Sequence, residues 1–310
     1  MQEIKTTTIK DAEYPKLLKE IKDPPEVLYY RGEILPRAES RGLPEENCFA
    51  IVGTRLCSAY GKQVALEIAG DLTEAGLTIV SGLAPGIDTF SHLAAVERRK
   101  LARNASHSDA GGRTIAVLGT GVDEESIYPK SNLKLSRKIL ENKGCLISEY
   151  LPGTHGSKMT FPKRNRIISG LSLGVLVVEA KQKSGALITA NLAFSQNRKV
   201  FAIPGSIHSL NSKGCHYLIK KGAKLVESAN DILKELRLRR LIPGIKQEIK
   251  GETKEENLIL DALKQGPLYI DKIIEKTKLS PAAVASALAI LEIKNKVRNL
   301  GGNIYAISRR

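Results

Sequence analysis

From Cys48 onward the chain alternates short apolar runs with stretches in which apolar residues recur every three or four positions. FAIVG (Phe49 to Gly53), LTIVSG (Leu77 to Gly82), TIAVLG (Thr114 to Gly119), CLISEY (Cys145 to Tyr150), the run Gly174 to Glu179, KVFAIPG (Lys199 to Gly205) and AKLV (Ala223 to Val226) read as strands. They are rich in β-branched residues and nearly without polar ones, as strands covered on both faces must be. Between them, helical spacing covers Gly61 to Ala75, Asp88 to Arg99, Leu133 to Asn142, Ala186 to Gln196, a region near Lys213 to Lys220, and a last helix from Asn230. This alternation predicts an α/β fold: a Rossmann-like, mostly parallel sheet with helices on both faces. Residues 100 to 113 are polar and Gly-rich and read as a loop.

The flanks follow other patterns. Residues 1 to 47 hold one short helical stretch, Tyr14 to Ile21, and the strand-like DPPEVLYYRG, too little for an independent core. They are expected to pack on the domain at 48 to 240. A polar linker at 241 to 254 leads to residues 255 to 310, where Glu256 to Lys264, Ile270 to Thr277 and Pro281 to Lys294 read as helices and Gly301-Gly302 as a hairpin turn. Three helices and a hairpin make a winged-helix-like domain. Its third helix, AAVASALAILE, has no Lys or Arg before Lys294, which fits a partner or dimer contact at least as well as a DNA groove.

Composition adds a direction. The net charge is +15, and it is uneven: residues 1 to 47 carry 8 Lys and Arg against 10 Asp and Glu, residues 48 to 236 carry 25 against 15, and residues 237 to 310 carry 15 against 8. The excess sits where a polyanion would be met, although solvated Lys faces give the same sum. The four cysteines are far apart and form no C-x-x-C pair, so a reduced, cytoplasmic protein without a zinc site is expected. No apolar run nears the roughly 20 residues of a membrane span.

The candidate chemistry concentrates between Phe161 and Thr189. Lys163, Arg164 and Arg166 stand beside Phe161 and Asn165, a mixture suited to phosphates and to stacking on a base. After the strand from Gly174, Ser184 and Gly185 open a helix whose first N–H groups would lie at the strand's carboxyl end, where anions bind in open α/β sheets. Taken singly, Pro162 reads equally well as a helix N1 residue, and Ser184-Gly185 as an ordinary turn. Small or polar residues close the other strands as well, including Gly53-Thr54-Arg55, Ser81-Gly82 and Gly119-Thr120-Gly121. No Walker A motif and no G-x-G-x-x-G after a strand occurs, which disfavours a P-loop ATPase and NAD binding, and no metal cluster stands out. No cofactor is expected. Asp88 and His92, four apart, are spaced for a mutual hydrogen bond, though stabilising the Gly82 to Asp88 loop suits them better. Glu149 and Glu179, both at strand ends, are positioned for a carboxylate pair, and one of Arg164 and Arg166 is expected to form a buried pair with one of them.

Several of these stretches together resemble one family. VGTRLCSAYG (Val52 to Gly61), SGLAPGID followed by His92, TIAVLGTG, SEY, FPKRNRIISGLS, VVEA with SGALITA, AIPG and LIKKGA are similar, in order, to the bacterial DNA-processing protein A family, also called Smf. The resemblance spans about residues 10 to 236, and less specifically 255 to 308. It implies a dimeric single-stranded-DNA-binding protein that protects incoming strands in natural transformation and loads the RecA recombinase. Its DNA pocket would fall on Gly53, Thr54, Arg55, Phe161, Lys163, Arg164, Asn165 and Arg166, with Ser184, Gly185 and Thr189 nearby, and with no catalytic residue. Three features depart from the family: no preceding helical domain, a long connection at 100 to 113, and GTHGSKMT without a customary Pro. Two other readings compete. The sheet edge also resembles the lysine-decarboxylase-like phosphoribohydrolases, although SGALITA lacks the Glu of their P-G-G-x-G-T-x-x-E motif. The chain would alternatively be a scaffold that recruits partners through the winged helix.

Overall fold

The computed structural model describes residues 3–34, 47–103, 112–238, 251–264, 266–294 and 296–308. The chain divides into two compact units, Met1–Ile242 and Pro243–Arg310. In the first, β1 (Lys5–Thr8), α1 (Lys16–Lys19) and β2 (Val27–Gly32) precede the alternating series. That series runs β3 (Cys48–Val52), α2 (Ala59–Glu74), β4 (Thr78–Ser81), α3 (Ile87–Arg103), β5 (Thr114–Val117), α4 (Leu133–Glu141), β6 (Cys145–Ser148) and α5 (Thr160–Gly170). It continues through β7 (Gly174–Val177), α6 (Gly185–Ser195), β8 (Lys199–Ala202), α7 (Lys213–Lys220), β9 (Lys224–Leu225) and α8 (Ala229–Glu235).

These strands form one nine-stranded sheet in the order β1-β2-β6-β5-β4-β3-β7-β8-β9. All pairs from β6 to β9 are parallel, while β2 joins β6, and β1 joins β2, antiparallel. The Rossmann-like expectation is met. Strand β1 carries no sequence signal, because KTTT has no apolar alternation; it forms by pairing with β2. The expected loop at 100 to 113 begins later than its composition suggests, since α3 continues to Arg103, and residues 104–111 of that stretch lie outside those described. Of the expected linker at 241 to 254, residues 241–250 also lie outside them.

Strand alternation sorts the core into two faces. On β3, Ala50 and Val52 join Val175 and Val177 of β7 against Ile167 and Ile168 of α5 and Ala186, Leu187 and Ala190 of α6. Phe49 and Ile51 point the other way, to Ala65, Ile68 and Leu72 of α2 and to Ala94 and Ala95 of α3. Val96 of α3 and Leu135 and Ile139 of α4 cover Ala116, Leu118 and Leu146 farther along that face. Burial on both sides is why these strands tolerate almost no polar residue.

The second unit contains α9 (Lys254–Leu263), β10 (Leu268–Tyr269), α10 (Ile270–Thr277), α11 (Pro281–Ile293), β11 (Val297–Asn299) and β12 (Ile304–Ile307). The strands pair in the order β10-β12-β11, and Ile259, Leu263, Ile273, Val284, Leu288 and Val297 form the core. Ser280 caps α11 by accepting from the Ala283 N–H, with Pro281 following it in the first turn. The solvent face of α11 carries Ala282, Ala285, Ser286, Ala289, Ile290, Glu292 and Ile293, without a cation.

Within the sheet unit, His92 on α3 is fully buried. Its Nδ1 lies 2.7 Å from Thr114 Oγ1, and that hydroxyl donates to Ile79 O at 2.6 Å. With the hydroxyl proton committed to Ile79, Nδ1 must be the donor, which leaves Nε2 a bare acceptor without a partner. Burial, reinforced by nearby Arg164, pushes the imidazole pKa down to about 3. Below the ordinary histidine value of about 6.5 the unfolded chain takes up a proton that folded His92 refuses, so this site withdraws stability as pH falls toward 3. Its share of the slope is at most about 1.4 kcal/mol per pH unit. Denaturant titrations of wild type and His92→Gln between about pH 6 and pH 4 should show a shallower acid loss in the variant.

Candidate nucleic-acid interface

The strand order sets where a ligand can enter. From β3 the chain steps outward through β4, β5 and β6, then crosses back to place β7 on the other side of β3. Adjacent connections leave β3 and β7 toward opposite faces, and the crevice at their carboxyl ends is the topological switch point. A cleft of about 850 Å³ opens there.

One wall is the turn after β3, Gly53 to Leu56. Glu179, just past β7, fixes this turn: its carbonyl accepts from Thr54 N at 2.7 Å, and its carboxylate accepts from Ser58 N at 2.9 Å, Ser58 Oγ at 2.6 Å and Asn211 Nδ2 at 3.3 Å. Ser58 is the N-cap of α2, so the buried carboxylate is held by the positive end of a helix. A side chain at Gly61 would collide with it, since a Cβ there would stand 2.3 Å from Glu179 Oε2. The second wall is Lys181 to Thr189, with Ser184 capping α6 by accepting from the Ala186 N–H. The Ser184 N–H is committed to Lys181 O at 3.1 Å, so the first-turn N–H that α6 brings to the cleft is that of Gly185, and beyond its chain neighbours no protein atom lies within 4 Å of where a Gly185 side chain would be.

The third wall is α5 and the loop before it. Phe161, Arg164 and Asn165 line the cleft, together with Gly156, Ser157 and Lys158. Arg55 is exposed, with its guanidinium 5.9 Å from the Phe161 ring centroid. Arg164 is buried: it donates to Gly82 O at 2.8 Å, to Val117 O, and through Nε to Asn165 Oδ1 at 3.2 Å. Asp88 beneath it accepts from Gly82 N at 3.1 Å and Ala84 N at 3.4 Å. Burial raises the Asp88 pKa, opposed by Arg164, and lowers that of Arg164 to about 10, opposed by Asp88. Asp88 therefore steadies the Gly82 to Asp88 loop as its spacing suggested, while His92 turns away to Thr114.

The residues singled out in the sequence are not all brought together. Gly53, Thr54, Arg55, Phe161, Arg164, Asn165, Ser184, Gly185 and Thr189 share the cleft. Lys163 and Arg166 do not line it. Arg166 is buried in a pair with Glu149, 2.7 Å from Oε2, and with Asp23 at 3.0 Å; Lys163 is exposed and approaches the same Glu149 oxygen at 3.6 Å. Helical spacing explains the division, because consecutive positions of α5 point about 100° apart. The buried pair anticipated for Arg164 or Arg166 is thus Arg166 with Glu149. Glu149 and Glu179 do not form a carboxylate pair: they end β6 and β7, four strand spacings or about 19 Å apart. Cleft residues without a decisive sequence signal are Tyr128, Lys158, Lys181 and Lys183. The cations among these were visible only as part of a general excess, and Tyr128 belongs to a distant connection.

Among the described residues no cluster could hold a metal ion, no helix is long and apolar enough to cross a membrane, and all four cysteines are free. A Rossmann-like sheet with a cationic, helix-capped cleft at its switch point, together with a small helix and hairpin unit, defines a class of α/β proteins that carry a winged helix. Comparison with known proteins narrows the class. The profile of the DNA recombination-mediator protein A family matches residues 5–237, and that of the DprA winged helix domain matches residues 246–303. The chain belongs to the DNA recombination-mediator protein A family, the DNA-processing proteins called DprA or Smf. It is 44% identical over 234 residues to DNA processing protein DprA of Streptococcus pneumoniae, covering 76% of this chain and 75% of that one. It is likewise 44% identical over 235 residues to the Bacillus subtilis protein, covering 76% and 72%. The X-ray structure of the S. pneumoniae protein superposes with a TM-score of 0.64 at 43% identity, covering 76% of this chain and 75% of that one. DNA processing protein A of Helicobacter pylori, whose structure describes a single-stranded DNA binding mode, superposes at 0.61 with 27% identity, covering 77% and 99%.

Removing Arg166 leaves the largely buried Glu149 carboxylate with an exposed lysine as its remaining cation. Arg166→Ala should lower unfolding stability by about 3 kcal/mol, against about 0.5 kcal/mol or less for exposed Arg55→Ala. Urea unfolding of both variants measures the contrast.

Proposed function

We propose that the chain binds single-stranded DNA in the cleft at the β3 and β7 ends, without catalysing a reaction on it. The observation that carries this reading is the composition of the cleft: Arg55, Lys158, Lys181 and Lys183 surround the N-terminus of α6, and Asp88, the one carboxylate of the lining, is offset by Arg164. Phosphates would be taken by those four cations and by the N–H of Gly185, and bases by the aromatic side at Phe161. Asn165, its oxygen engaged by Arg164 Nε, offers its amide N–H groups to the strand. Arg164 and Arg166 act through position, the first by bracing α5 and the second by pairing with Glu149. The H. pylori relative's single-stranded DNA binding mode supports the same ligand.

In this reading residues 48–240 are the binding domain, residues 1–47 extend it, and residues 241–254 connect it to the winged-helix-like domain at 255–310. The cation-free face of α11 favours a protein contact for that domain. The family implies a cytoplasmic homodimer that protects incoming strands during transformation and passes them to the RecA recombinase, and the free cysteines agree with a reducing compartment.

Salt dependence tests the site. Each phosphate contact contributes about 0.7 to the slope of log affinity against log salt for single strands. The double variant Arg55→Ala/Lys158→Ala should bind an oligothymidylate more weakly, with a slope shallower by about 1.4. Unchanged affinity and slope would remove the cleft from consideration.

A further inference from the structure

Tyr128 stands before Pro129 in the connection between β5 and α4, more than thirty residues from Phe161 in sequence. In the fold its ring centroid lies 5.6 Å from that of Phe161, with 39° between the planes. It also lines the cleft, and it is 54% exposed. A lone exposed tyrosine is ordinary on a protein surface. Here it is one of three planar groups gathered in the cleft: Phe161 lies beside it, and the Arg55 guanidinium stands over the Phe161 ring.

The Phe161 ring is held firmly. A Cβ at Gly119 would stand 2.8 Å from Phe161 Cδ1, and one at Gly156 would stand 2.4 Å from Cζ, so glycine backbone abuts the ring at two places. Only residues without a side chain permit that approach. Phe161 is accordingly fixed and partly covered, while Tyr128 beside it keeps an open surface toward the cleft.

We propose that Tyr128 is a base-stacking residue: its open ring surface receives one unpaired nucleobase of the strand, and Phe161 supports it from the side. Every base has a π-face, so this contact contributes affinity without selecting sequence, and it adds no charge to the phosphate side of the site. The inference rests on the cleft being the single-strand site.

Binding of the full-length chain to an oligothymidylate and to an equally long abasic deoxyribose-phosphate oligomer tests it. Tyr128→Ala should lower oligothymidylate affinity about 5- to 150-fold. Its salt slope should stay at the wild-type value, its affinity for the abasic oligomer should equal that of wild type, and Tyr128→Phe should restore the lost affinity. If wild type binds the oligothymidylate and Tyr128→Ala binds it equally well, the stacking role is overturned while the cleft reading stands. The same holds if the variant loses equally on the abasic oligomer, or if only partner-protein contacts change. If wild type binds no single strand, the cleft reading falls and the stacking role with it.

Discussion

The geometry of the cleft depends on one buried cation. Arg164 reaches from α5 to the carbonyls of Gly82 and Val117, just past or at the ends of β4 and β5, and shares its Nε with the neighbouring Asn165. A buried guanidinium needs acceptors for its donors and a counter-charge nearby; the strand-end carbonyls supply the first and Asp88 the second. The consequence is positional. With Arg164 pinned, Phe161 lies just under one turn earlier and Asn165 one residue later, so both are delivered to the rim of the sheet. Glu179 performs the complementary task on the opposite wall, holding the turn that carries Thr54 and Arg55.

A compact basic run therefore serves two purposes. In Lys163, Arg164 and Arg166 the positive charge is continuous in sequence, but in the fold it is divided among a solvent-facing lysine, a brace for the sheet edge and a buried partner for Glu149. The cations free to meet a ligand come instead from three separate segments: Arg55 after β3, Lys158 before α5, and Lys181 and Lys183 before α6. Separate attachment points let phosphates along a strand be met at several places. The fixed cations and the free ones are thus different residues, and stability and binding are separable by mutation.

The parallel sheet was legible because strands buried on both faces must be apolar and β-branched, and the turns between them must be small or polar. The strand-end clustering of Gly53, Thr54, Arg55, Ser184 and Gly185 followed from the same rule, since parallel strands share one carboxyl edge. Strand β1 was hidden because KTTT has no alternation and its pairing is decided by β2. The partition of Arg164 from Arg166 was hidden too, because it depends on which acceptors tertiary packing brings to each face of α5. Tyr128 left no trace in the sequence for a similar reason: its relation to Phe161 exists only once the β5 to α4 connection folds back over the edge. The winged helix was legible from its caps and spacing, and the absence of cations on α11 is the same in sequence and fold.

A crystal structure of the full-length protein with a short oligothymidylate bears most directly on whether this sheet edge is the binding site. Phosphate oxygens should be found within hydrogen-bond distance of the Gly185 N–H and beside Arg55, with bases turned toward Phe161, and Arg164 and Arg166 still paired inside the protein. A strand lodged along α11, or anywhere that leaves the β3 and β7 ends untouched, would contradict it.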